Sequence, residues 1–209
     1  MNSIFLKPND PRLRKIAQEI PEDLIDSAAT KKIIETMLKA AYGEQKDSRK
    51  PVMVGLAASQ IGISRRIILV DVKADGRGKV GDLRVYINPK IIWQSKKAGE
   101  WYEGCYSTGR ICGIVSRPAS IKIQALNLQS RIVKSNPIRD WKIKLVEEKW
   151  TGYTARIFQH EIDHLDGKLF VDHIKNPDHL HWVEENEFPI YRNKQTWRNW
   201  PKKHPLPLA

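Results

Sequence analysis

The sequence predicts an α+β fold in one compact domain, and three observations lead there. An amphipathic stretch near the N-terminus has helical spacing, a series of short β-prone segments follows, and helical spacing returns around residues 151–165. No segment repeats. A chain of 209 residues buries roughly 70% of its unfolded surface on folding, enough for a single sizeable core. With 41% hydrophobic and 29% charged residues, its composition is that of an ordinary globular protein and excludes the disordered, collagen-like and membrane classes.

The elements follow in order. Between residues 23 and 42, Leu24, Ile25, Ala28, Ile33, Ile34, Met37, Leu38 and Ala41 recur mostly in steps of three and four, with Pro21 before and Gly43 after, which predicts a helix over 23–42. A polar stretch over 44–51 leads into Val52–Gly62, where small residues predominate and let backbone approach another group closely. Arg66–Val72 reads as a buried strand, 73–84 as a charged, glycine-containing hairpin loop, and 85–88 as the returning strand. Further strands are expected at 91–94, 120–126 and 142–150, with a turn at Asn136-Pro137 before the last. Ile157, Phe158, Ile162 and Leu165 then mark a helix over 151–165, ended by Asp166-Gly167. From Phe188 to Ala209 there are five Lys or Arg, two Trp, four Pro and no acid, a pattern that will not form a long regular helix. Residues 1–187 are therefore expected to form the main domain and 188–209 a basic, Trp/Pro-rich tail.

The second helix carries the strongest chemical signal. His160-Glu161-Ile162-Asp163-His164 is an HExxH sequence, which sets two imidazoles one turn apart on the same face with a carboxylate beside them: two metal ligands and a base. A catalytic metal needs a third protein ligand and an open position for water. An extension to a third His fails, because Phe170 stands where it belongs. Glu184 or Glu185 downstream and Cys105 upstream, in Glu103-Gly-Cys-Tyr-Ser107, remain candidates.

Charge and cysteine usage frame that chemistry. The 36 Lys+Arg against 24 Asp+Glu give a formal net charge of +12, which points to a polyanionic neighbourhood. No apolar run is long enough for a membrane-spanning helix and the N-terminus lacks a signal-peptide pattern, so the expected compartment is the cytoplasm. There, Cys105 and Cys112 are expected as thiols or ligands rather than as a disulfide.

Val54-Gly55-Leu-Ala-Ala-Ser-Gln60, Glu103-Gly-Cys-Tyr-Ser107 and Gln159-His-Glu-Ile-Asp-His-Leu-Asp-Gly167 occur in that order, and together they resemble the three signature segments of the peptide deformylases. The resemblance runs from about Ile4 to His173. It implies antiparallel β-sheets around a central helix that carries the HExxH motif, and removal of the formyl group from the N-terminal formyl-methionine of nascent polypeptides. It also implies one divalent metal held by Cys105, His160 and His164, with ferrous iron the usual physiological ion and zinc, nickel or cobalt able to occupy the site. Glu161 is implied as acid/base and Gln60 as a donor near the oxyanion. The backbone N–H of Tyr106 is expected at the same oxygen, Val54, Gly55 and Gly104 along the peptide, and Ile157 in the methionine slot. Glu103, paired with Arg117, is a candidate for fixing the ligating segment, while Cys112, His173, His179 and His181 are assigned to packing or surface.

Several positions depart from the family pattern. Met53 and Ser59 replace a glycine and a Pro or Thr, Tyr106 replaces a Leu, and Thr108-Gly-Arg-Ile-Cys112 lacks a common Pro. The basic charge suits transient, salt-sensitive contact with ribosomes by a monomer. Two other readings compete: a zinc endopeptidase using Glu184 or Glu185 as third ligand, and a catalytically silent relative binding RNA or the ribosome.

Overall fold

A computed structural model of the chain describes residues 4–46, 52–128 and 141–203. The turn expected at Asn136-Pro137, most of the polar 44–51 connection, and Pro205 and Pro207 lie outside those residues.

Helix α1 spans Ala28–Lys46 rather than 23–42, and Glu22–Leu24 forms a separate 3-10 turn. The start is displaced because Ser27 Oγ accepts from the Thr30 N–H at 3.2 Å while the Thr30 hydroxyl donates to the Leu24 carbonyl at 2.8 Å. Those two bonds close a cap that apolar spacing does not reveal. Gly43 does not end the helix, which continues until Gln45 donates its amide to the Met53 carbonyl at 2.9 Å. Ile34, Met37 and Ala41 face inward and pack with Leu56, Ile67, Leu69, Val85 and Ile87.

Those last residues belong to a five-stranded sheet in which every pairing is antiparallel, ordered β1 (Gly55–Ala57), β2 (Ile67–Asp71), β3 (Leu83–Gln94), β6 (Ser120–Leu128) and β7 (Ile143–Thr151). The strands expected at 85–88 and 91–94 are one strand, with register shifts between Ile87 and Lys90 and between Ile91 and Trp93. Pro89 cannot donate to a ladder, so the irregularity falls where the sequence suggested a break. Asn88 there adopts a φ of 50° and ties the strand to Ile20 through bonds of 2.9 and 2.8 Å.

A second antiparallel sheet joins β4 (Ala98–Gly104), β5 (Ile111–Pro118) and β8 (Leu180–Trp182). Its strands were not expected, because β4 is mostly exposed and β5 carries no polar alternation to mark it.

Helix α2, Gly152–Leu165, buries Ala155, Phe158, Ile162 and Leu165 against Ile68, Val70, Tyr86, Ile121 and Ile123 of the larger sheet. Gly167 ends it with a φ of 70°, and a Cβ there would stand 2.5 Å from the Arg14 carbonyl oxygen, so a larger residue would displace the N-terminal segment.

Beyond β8 the chain forms two short helices, α3 (Phe188–Tyr191) and α4 (Lys194–Arg198). As the prolines suggested, no long helix forms among its described residues, and these fold back on the body. Tyr191, Trp197 and Trp200 pack with Cys112, Ile114 and Val183, and Trp200 donates its indole N–H to the Trp182 carbonyl at 2.8 Å. Trp197 and Trp200, for which the sequence left nucleic-acid stacking and packing equally open, are buried. Among the described residues no helix is long and apolar enough to cross a membrane.

Candidate metal centre and cleft

Helix α2 sets His160 and His164 on one face with ring centroids 5.0 Å apart, and β4 delivers Cys105 to them from across the fold. Cys105 Sγ is 3.2 Å from His164 Nε2, and the candidate ligand atoms of Cys105, His160 and His164 all lie within 4.8 Å of one another. This is the one such cluster among the described residues. The sulfur sits where β4 turns into a 3-10 turn, Tyr106–Thr108. The Ser107 N–H donates to it at 3.4 Å and the Gln60 side chain at 3.2 Å. Burial alone would raise its pKa, but the two histidines hold the thiol well below its usual range, so the site favours the thiolate that binds metals. Cys112, by contrast, is 1% exposed and free, and burial pushes its thiol up.

Glu103 orients one of these candidate ligands, His160. Its carboxylate accepts from His160 Nδ1 at 2.8 Å, from Arg117 at 2.6 and 2.9 Å, and from Arg156 at 2.6 Å. Burial opposes this charge, but Arg117 and the other donors hold the Glu103 carboxyl well below the usual range. Arg117 also donates to Asp163 at 2.7 Å, and His173 donates to the same oxygen at 2.7 Å. The Glu103–Arg117 pair was among the expectations; Arg156, Asp163 and the tie to His173 were not. Their signal was present on α2, where Arg156, His160 and Asp163 recur at steps of four and three and share a stripe.

Glu161, next in sequence to His160, is 4% exposed, and its Oε2 has no hydrogen-bond partner. Burial pushes its pKa up to about 7. Gly55 lies directly against it: a Cβ at that position would overlap the carboxylate and come 2.8 Å from its Cδ. Gln60 is anchored by its Oε1, which accepts from the Ala57 N–H at 2.8 Å, so its Nε2 faces Cys105 and, at 3.3 Å, the Ser107 hydroxyl.

A cavity of about 470 Å³ opens onto this group. Val54, Gly55, Gln60, Gly104, Cys105, Tyr106, Ile157, His160 and Glu161 all line it, while His164 lies 1% exposed behind them. Glu184 does not join the cluster. It is bound to Arg110 and to the Trp182 indole, and Glu185 reaches the cavity without entering the ligand group. The fold thus brings Cys105, and neither Glu184 nor Glu185, to the two histidines, because the segment after β8 is pinned to the β5 side of the fold.

The departing positions each have a local partner. Met53 sits in the α1 core, and the Ser59 hydroxyl donates to the His164 carbonyl at 3.0 Å. Tyr106 stacks on Phe5 at 4.8 Å and donates its hydroxyl to Glu44 at 2.9 Å. The Thr108 hydroxyl donates to the Cys105 carbonyl at 3.0 Å, holding the ligand turn without a proline.

Comparison with known proteins places these features in one family. The family model described as polypeptide deformylase matches residues 3–179. The peptide deformylase of Polynucleobacter necessarius is 34% identical over 165 residues, 79% of this chain and 81% of that protein. That of Phenylobacterium zucineum is 33% identical over 174 residues, 83% and 88% of the two chains. Among solved structures, the Met-Ala-Ser-bound class I type b peptide deformylase of Acinetobacter baumannii superposes with a TM-score of 0.67 at 29% identity, covering 81% of this chain and 96% of that one.

Proposed function

The chain belongs to the polypeptide deformylase family, hydrolases that remove the formyl group from the N-terminal formyl-methionine of nascent polypeptides, and on that premise we propose which of its residues do the work. Cys105, His160 and His164 would hold one divalent ion, ferrous iron by family habit and zinc, nickel or cobalt as substitutes. One thiolate and two imidazoles make a donor set suited to iron or zinc, and the Glu103 bond to His160 Nδ1 leaves Nε2 for the metal. A bound ion there would supply Lewis-acid chemistry, lowering the pKa of a water toward neutrality.

The residues of this chain take the remaining steps. Glu161 accepts a proton from the attacking water and returns it to the departing amine. Its pKa near 7 and unpartnered Oε2 suit both directions of transfer near neutral pH. Gln60 Nε2 and the Tyr106 N–H donate to the formyl oxygen as it gains charge. Val54, Gly55 and Gly104 run beside the peptide, and Ile157 lines the methionine slot. The observation that carries this reading is that Cys105, His160 and the Glu161 carboxylate, whose Oε2 is unpartnered, line one cavity with His164 clustered directly behind them.

Cytoplasmic location, a monomeric state, and electrostatic contact of the +12 chain with ribosomes belong to the same proposal. So do the boundaries 1–187 for the catalytic domain and 188–209 for the basic extension. The test is formate release from a formyl-Met peptide by anaerobically purified protein, with metal analysis and a Cys105→Ala control. Release of formate that disappears together with the metal in the control is expected; metal-loaded protein that releases none overturns the reading.

A further inference from the structure

The family match ends at residue 179, yet the cavity does not. Glu185, Phe188 and Arg192, all from the segment after β8, line the same cavity as Glu161 and Cys105. That wall is held firmly. β8 pairs with β5, Glu184 bonds Arg110, Lys202 bonds Glu187 at 2.5 Å, and Tyr191 packs edge-on to Tyr102 with ring centroids 5.2 Å apart.

Arg192 reaches from this wall to the opposite side. Its Nη1 comes within 3.8 Å of the space a Cβ would take at Gly78, in the β2–β3 loop, and its guanidinium stands beside the Tyr102 hydroxyl. The same loop packs on Tyr153, since a Cβ at Gly76 would sit 3.0 Å from that ring. Arg192 thus occupies the Tyr153 end of the cavity. On α2, Tyr153 and His160 are seven residues apart, about 10 Å at the helical rise, and an extended peptide covers that in about three residues.

The charges on the wall are unequal in their partners. Arg110 is paired with Glu184 and Arg156 with Glu103, whereas none of the ion pairs among the described residues uses Arg192. Of the acids on this segment, Glu184 and Glu187 are paired with Arg110 and Lys202, and Glu185, which lines the cavity, is exposed.

We propose that the segment after the family domain completes the substrate site, and that Arg192 selects formyl-Met peptides bearing a carboxylate within the two residues after the methionine. The inference rests on the deformylase reading of the cleft. Two sources of carboxylate fit, an Asp or Glu side chain at position 2 or 3 and the free terminus of a short peptide.

Formyl-Met-Ala-Ala amide, its Asp- and Glu-containing analogues at positions 2 and 3, their Lys counterparts, and formyl-Met-Ala with a free carboxylate separate these sources when kcat/KM is measured for each. The expected acidic-to-neutral ratio for the wild type is about tenfold, the size of one charge-assisted hydrogen bond. Arg192→Gln should bring that ratio close to one, Arg192→Lys should retain part of it, and Glu185→Gln should raise it. A melting curve for each variant checks folding. A wild type that turns over all the peptides equally, or an Arg192→Gln variant that keeps the preference, overturns the proposal and leaves the deformylase reading standing. A wild type that releases no formate from any peptide overturns both.

Discussion

Glu103 Oε2 lies 2.8 Å from His160 Nδ1, and this contact joins the candidate ligand cluster to a buried network in which Glu103 binds Arg117 and Arg156 and Arg117 reaches on to Asp163 of α2. The imidazole is turned by its outer nitrogen, so its inner nitrogen faces Cys105 without depending on the ion to orient it.

Glu103→Ala should weaken metal binding by roughly 10- to 100-fold. It should also destabilise the fold by about 3–5 kcal/mol, because Arg156 would stay buried without its counter-charge while Arg117 would keep only Asp163. Competitive metal titration and denaturant unfolding read the two effects separately. Unchanged metal affinity would show that the contact does not position His160.

Glu161→Ala should lower kcat by on the order of 100- to 10,000-fold while the protein keeps its metal. Formate release alongside metal analysis checks this. Loss of the metal would mean that Glu161 acts on the ligand set rather than on protons.

Gly55→Ala should be the sharpest small change on β1, since its new Cβ would enter the space of the Glu161 carboxylate. Displacing that carboxylate by about an ångström is expected to lower kcat by ~100-fold, with little effect on KM. Equal losses in an apolar-to-apolar change such as Val54→Ala would point to general loosening of the strand instead.

His181 supplies a pH test away from the cleft. It is 0% exposed, its Nδ1 accepts from the Tyr191 hydroxyl at 2.7 Å, and its Nε2 donates to the Asp178 carbonyl at 3.1 Å. Burial, followed by the neighbouring Lys203 charge, pushes its pKa from 6.5 down to about 4. The unfolded chain therefore binds the proton first, so this contribution is fully present above about pH 6.5 and is lost as pH falls toward 4. The loss across that window amounts to about 3 kcal/mol. Denaturant midpoints between pH 7.5 and 4.5 should fall more steeply for the wild type than for His181→Gln at matched metal content; parallel slopes would remove His181 as the cause.

Much of the site was legible in the sequence because it is locally encoded. A helix turns every 3.6 residues, so the spacing of His160, Glu161 and His164 placed them together on the helical face before any fold was known. Even the Arg156–Asp163 stripe obeyed that rule and could have been read. The boundaries of α1 were less legible, since Ser27 and Thr30 act through hydrogen bonds that apolar periodicity does not record. The β4–β5–β8 sheet was illegible for a related reason: β4 is mostly exposed and β5 mostly buried, so neither shows the in-out alternation that marks a half-buried strand.

By itself, then, the sequence determined the α+β class, the helix that carries the chemistry, and Cys105 as one candidate for its third ligand. The tertiary structure decided that Cys105 rather than Glu184 or Glu185 stands beside His164, that Arg156 shares Glu103 with Arg117, and that Phe188 and Arg192 line the cleft. Such pairings join residues tens of positions apart. They depend on sheet register and on where buried aromatic side chains such as Trp197 find space, and no local period along the chain carries that information.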